Sequence, residues 1–260
     1  MRDFIAIWKR RFLQRETLWA ILLSLVFMLV SYVVRASPEI ATYFKLKSGR
    51  HFAVADLPGV LTKDAAARVQ ADYLTVAASQ AFSFYILMSN GFLLYHLLAN
   101  IIIVLPILRF FNERKSGILQ LTTVRRGNWS SIALEAFAAS LSGTLLVLLP
   151  SLIFWALALL ASPTMFPLSQ AFAPFSDDFF QYLGQPEHIA GLYLVLILLN
   201  GILYFCRSLL AFSFALLVER KAILLFIPLA FTYAMYLLFT LLGIPGYAAL
   251  SQLEEHIKTL

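Results

Sequence analysis

Residues 18–34 read LWAILLSLVFMLVSYVV, an uncharged apolar run closed by Arg35. A helix needs about 20 predominantly apolar residues to cross the hydrocarbon of a bilayer. The run meets that length with little to spare, and Arg35 can snorkel to the interface. Arg2, Lys9, Arg10, Arg11 and Arg15 precede it. Basic residues before an apolar run also mark a secretory signal peptide, but a signal's apolar core is shorter. More apolar blocks follow, so residues 18–35 read as an uncleaved first span.

Those further blocks lie at 81–111, 132–161, 189–217 and 222–243. Over the 260 residues, 61% are hydrophobic and 13% charged. A soluble domain carries roughly a quarter of its residues as charges. The expected fold is therefore an all-α integral membrane protein with about five transmembrane helices, or six if the tail re-enters. The second block is longer than one perpendicular crossing needs. It is expected to tilt or to extend beyond the bilayer, with a kink at Pro106. Pro150 lies inside the third block, and Gly243-Ile244-Pro245-Gly246 stops the fifth.

Two domains are read. Residues 1–16 carry Phe4, Ile5, Trp8 and Phe12 at helical spacing among the basic residues. This predicts an amphipathic helix lying on the membrane, a disordered basic tail being the other reading. Residues 17–260 form a single transmembrane domain, with an outer loop at 36–80 and a cytoplasmic segment at 112–131. Within the loop, residues 65–78 can form a helix. The tail 247–260 is at best weakly amphipathic.

Lysine and arginine set the orientation. They crowd residues 1–16, then Arg109, Arg114, Lys115, Arg125 and Arg126, then Arg220 and Lys221. The loop 162–188 has none. These segments fall on one side if the N-terminus is cytoplasmic. The first loop would then be outside with Lys45, Lys47, Arg50, Lys63 and Arg68, interleaved with Glu39, Asp56, Asp64 and Asp72. Long loops obey the rule weakly. The location is the plasma membrane, and the net charge of +6 reads as topology and lipid contact rather than nucleic-acid binding.

Polar residues inside apolar blocks usually face other helices. Asn90, His96 and Asn100 lie in the second, Ser140, Ser142 and Thr144 in the third, Asn200 and Arg207 in the fourth. Asn90, Asn100, Asn200, Arg207 and Glu135 are candidates for a substrate path or gate, with helix packing as the other reading for the asparagines. Arg207 is too deep to snorkel easily. It is functional by default or paired structurally, with Glu135 as one possible partner. Gly91 and Gly143 allow close helix approach.

No Gly-x-x-x-x-Gly-Lys-[Ser/Thr] occurs, so the chain cannot cradle ATP phosphates. His-Glu-x-x-His and Gly-x-Ser-x-Gly are absent as well. His51, His96, His188 and His256 have no ligand spacing, and Cys206 is the single cysteine. No catalytic, metal or cofactor site is expected in this chain.

The most informative stretch is Glu113-Arg114-Lys115-Ser116-Gly117-Ile118-Leu119-Gln120-Leu121, followed by Arg125-Arg126. It reads as a short helix on the inner membrane face, apolar on one side and charged on the other. It resembles the coupling-helix region of ABC-2 type transporter permeases, where Glu-x-x-x-Gly-[Thr/Ile]-Leu-[Glu/Gln] precedes a turn with a basic residue. Glu113, Gly117, Ile118, Leu119, Gln120 and Arg126 match in kind and order, and residues 1–16 look like the family's elbow helix. The resemblance extends over residues 1–220 in layout and about 15 residues in motif.

The resemblance implies a permease subunit of an ATP-driven exporter of a peptide, drug or lipid-like substrate. It implies a second permease copy or paralogue and a separate cytoplasmic ATPase subunit, which would hold the ATP and magnesium. Glu113, Arg114, Lys115, Gly117, Leu119, Gln120, Arg125 and Arg126 would couple to that ATPase. The family typically has six spans, one more than is read here. Two other classes stay open: a non-transporting membrane scaffold or immunity protein, and a small secondary carrier or membrane-embedded enzyme.

Overall fold

A computed structural model of the chain describes residues 2–12, 15–48, 63–116, 129–166 and 188–241. Among the described residues the fold is all-helical, with nine helices. They are α1 (Arg2–Phe12), α2 (Arg15–Arg35), α3 (Ser37–Lys47), α4 (Lys63–Phe82), α5 (Phe84–Ile102), α6 (Leu105–Lys115), α7 (Trp129–Ala161), α8 (Ile189–Ala215) and α9 (Lys221–Leu241). Three stretches are long and apolar enough to cross a membrane: Glu16–Arg35, Ile132–Ala161 and Ile189–Ala215. In α9 the apolar stretch spans Lys221–Ala234. The expected coupling segment from Gly117 onward, the loop after Phe166 and the tail lie outside the described residues.

Several helices bury small or polar side chains and expose large apolar ones, although the core also holds Phe84, Tyr95, Phe110 and Phe212. On α2 the buried stripe is Thr17, Ala20, Ser24, Met28 and Ser31, which is mostly small or polar. Leu22, Val26, Leu29 and Val33, on the other side, are each 50–54% exposed. On α7 the buried residues include Ala138, Ala139, Ser140, Ser142 and Thr144, while Phe137, Ile153 and Leu157 are exposed. Membrane helices pack through small residues because lipid is as apolar as leucine and gives no reason to hide it. A soluble domain rarely leaves such continuous apolar stripes facing water.

The second apolar block is not one kinked helix. Pro106 lacks an N–H and its ring crowds the carbonyl four residues back. The chain meets this by ending α5 at Ile102 and starting α6 at Leu105, with Pro106 in the first turn of the new helix, where proline is tolerated. The Ile107 and Leu108 amides both return to the Val104 carbonyl, at 2.9 Å. A regular helix would have sent the Ile107 amide to Ile103. A second break falls at Ser83, between α4 and α5. The helix expected over 65–78 is thus longer, and α3 is an addition that Pro38 initiates, with Glu39 in its first turn and Lys45 and Lys47 in its last. That charge order suits the helix dipole.

The chain packs as two compact units. One comprises Leu25–Tyr95 and Ser151–Ile197. Within it, the Ser83 break is satisfied from outside the helix: the Phe84 and Tyr85 amides donate to the Thr164 and Met165 carbonyls at 2.9 and 3.1 Å. The Tyr32 hydroxyl donates to the Ala81 carbonyl at 2.8 Å. Trp155 Nε1 donates to the Ala190 carbonyl at 2.9 Å, and the Phe84 and Tyr193 rings meet edge to face. A Cβ on Gly91 would lie 2.5 Å from the Phe154 ring, so glycine lets α5 and α7 approach here. Helices α3 and α4 pack on each other.

The other unit comprises Met1–Ser24, His96–Pro150 and Leu198–Leu260. Here α1 lies on α7 through Phe4 and Phe137, whose ring centroids are 5.6 Å apart, and Ile7 is buried. Phe137 also meets Phe205 of α8 at 5.4 Å. The Ile103 carbonyl, which the α5–α6 break releases from the helical ladder, accepts from Ser208 Oγ at 3.3 Å. It presses on Gly143 of α7 so closely that a Cβ there would overlap the oxygen and lie 3.1 Å from the carbonyl carbon.

Candidate functional site

Two clusters in the second-described unit carry polar chemistry. The first joins α5 to α8. His96 and Asn100 are one helical turn apart on α5, and Tyr204, Arg207 and Ser208 share one side of α8, as residues three and four apart do. His96 Nδ1 and the Tyr204 hydroxyl are 2.8 Å apart; the imidazole tautomer sets which of them donates. Asn100 Nδ2 donates to the His96 carbonyl at 2.9 Å, and its Oδ1 accepts from Arg207 Nη1 at 3.3 Å. The guanidinium lies over the Tyr204 ring, 5.4 Å from its centroid. Asn100 and Tyr204 are each 4% exposed, whereas Arg207 is half-buried.

Arg207 stands eight residues before the end of α8, which is about 12 Å along the axis. In a helix that crosses a bilayer, an arginine costs up to roughly 3 kcal/mol on insertion scales, the figure for the helix centre. Contact with an aromatic face and an amide carbonyl offsets part of that cost. Replacing Tyr204 with phenylalanine keeps the ring beneath Arg207 and removes the hydroxyl opposite His96. It is expected to lower stability by about 1 kcal/mol, measured as a drop in thermal midpoint of the detergent-solubilised chain.

The second cluster ends α6. Arg109 Nε and Glu113 Oε1 are 3.4 Å apart across one turn. Arg114 Nη1 donates to the Ala215 carbonyl at the end of α8, and its guanidinium lies 6.0 Å from the Phe111 ring centroid. One turn earlier, the Phe110 and Phe212 rings are 4.3 Å apart. Helix α6 also touches α9. Lys115 and Ser116 are exposed.

These placements separate the expected site residues. Arg207 and Asn100 come together, so the polar partner found for Arg207 is Asn100 where the sequence offered Glu135. Glu135 is half-buried in the first turns of α7. Asn90 is half-buried in the other unit, where its carbonyl accepts from Ser31 Oγ at 2.6 Å. Asn200 is half-buried on α8 and joins no polar cluster among the described residues. Arg114 bonds the end of α8 inside the fold, Glu113 is half-buried beside Arg109, and Lys115 is the exposed described member of the coupling set. Gly117, Leu119, Gln120, Arg125 and Arg126 lie outside the described residues. Sequence reasoning missed Tyr204 and Ser208, although their spacing around Arg207 was a signal. No group of three or more metal-ligating side chains occurs among the described residues.

Comparison with protein-family models, with curated proteins and with solved structures returns no match.

Proposed function

We propose that the chain is a multi-pass plasma-membrane protein with a cytoplasmic N-terminus, and that it is the permease subunit of an ATP-driven exporter. Helices α2, α7 and α8 cross the bilayer, with α5 and α9 as the other two spans; α5, at 19 residues, is about 28 Å long. Helix α1 lies along the inner face, with the exposed Lys9 toward lipid headgroups. The segment after α6 docks on a separate ATPase subunit that binds ATP and magnesium, and a second permease copy or paralogue completes the membrane part.

One observation carries this reading. The Glu113–Gln120 motif, which resembles a coupling helix, begins in the last turn of α6; that turn is tied to the end of α8 by Arg114 on Ala215, and the turn before it by Phe110 on Phe212. A push on the motif therefore reaches a membrane-length helix through side chains rather than through a slack loop. Such coupling is what an ATPase-driven permease needs and what a passive scaffold does not.

Affinity purification of the tagged chain from its native membrane tests the reading. The expected result is a co-purifying protein that carries Gly-x-x-x-x-Gly-Lys-[Ser/Thr] and hydrolyses ATP. Export-competent preparations without any such protein would sink it.

A further inference from the structure

We infer that Arg207, oriented by Asn100, is a binding site within the membrane for the anionic head of an amphiphile. A guanidinium has five N–H donors and no acceptor. Among the described residues, Arg207 spends one of them, on the Asn100 amide oxygen at a long 3.3 Å. Its other contact is the face of Tyr204, which takes none of the in-plane donors. No carboxylate pairs with it among the described residues.

Access favours a ligand from the side. Leu203, one turn before Arg207, is 46% exposed, Ile202 is 61% exposed, and Cys206 is exposed. The positive charge thus sits at the margin of an apolar face that acyl chains would cover. A ligand here presents an apolar tail to that face and an anionic head to the guanidinium. Carboxylate and phosphate both match the flat fork of arginine donors with two parallel hydrogen bonds. Asn100 holds the fork at Nη1 and is itself braced by the His96 carbonyl. The site rests on the permease reading in one respect only: in an exporter its occupant is cargo, which makes the cargo class an anionic amphiphile.

The test uses the full chain without any ATPase, so its outcome is independent of whether the exporter reading holds. The chain is placed in phosphatidylcholine nanodiscs and labelled at Cys206, its single cysteine, with an environment-sensitive fluorophore. Two probes are titrated separately, phosphatidylglycerol for a lipid phosphate and oleate for a free carboxylate. Saturable binding of either supports the proposal and names the source. Arg207→Gln is expected to weaken that binding at least tenfold and Arg207→Lys by less. Asn100→Asp sets an internal carboxylate beside the guanidinium and should abolish binding by occupying it; it also gives up the Nδ2 donor to the His96 carbonyl, so its unfolding midpoint is measured alongside, and Arg207→Lys, which keeps the charge, is the safeguard against misfolding. Binding of both probes unchanged in Arg207→Gln and Asn100→Asp, or no saturable binding of either probe to the parent chain, would overturn the proposal.

Discussion

Replacing Gly143 with alanine is expected to destabilise the chain by about 2 kcal/mol or more, the range for forcing atoms into a packed core. The added methyl would meet the backbone of Ile103, carbonyl oxygen first. A backbone carbonyl cannot swing aside as a side chain does. This one is also held by Ser208 Oγ, at the joint where α5 gives way to α6. Two other glycines make the comparison internal. Gly91→Ala meets the Phe154 ring, which can rotate, so a smaller loss is expected. Gly191→Ala meets nothing within 4 Å, and the better helix propensity of alanine makes it neutral or slightly stabilising. Thermal unfolding of the three variants in one detergent should rank Gly143 far below Gly91, and Gly91 below Gly191. Equal midpoints for Gly143→Ala and Gly191→Ala would mean that α7 does not approach the joint as described.

Under the proposed exporter function, Glu113→Ala is expected to abolish ATP-driven export while leaving the chain folded. The Arg109–Glu113 pair is a partly exposed contact between residues four apart on one helix, and helix pairs of that spacing contribute about 0.3–0.5 kcal/mol to folding. Against a partner the effect is larger. Removing one member of a desolvated interface charge pair typically costs about 2–5 kcal/mol, which is roughly a 30-fold or greater loss of affinity. Arg114→Ala should behave differently, lowering thermal stability because it frees the end of α8. Export assays and unfolding curves on the two variants separate the roles. A Glu113→Ala variant that exports normally would remove the residue from the coupling surface.

Helix content was legible because apolar runs of bilayer length leave few alternatives. The third and fourth blocks appear as α7 and α8 nearly as read, since 132–161 and 189–217 contain no competing signal stronger than Pro150. The second block was misread at Pro106. A proline can kink a helix or open a new one, and the choice depends on whether neighbours can take the freed carbonyl. Here Ser208 donates to it and Gly143 leaves it room, and both are more than thirty residues away in sequence. The Ser83 break has the same character: Phe84 and Tyr85 find acceptors at Thr164 and Met165. Helix α3 was missed because a polar loop hides a good N-terminal proline. The Arg207 cluster was half legible. Depth singled out Arg207, but its choice of Asn100 depends on how α5 packs on α8, which no local pattern encodes.

The claim on which the account turns is that the chain presents the end of α6 to a separate ATPase. A photo-cross-linking residue in place of Lys115, which is exposed, reads that contact directly in intact cells. The account predicts an ultraviolet-dependent adduct with one nucleotide-binding protein, lost when Glu113→Ala is added. Adducts with lipid alone, in cells where the export activity is present, would contradict it.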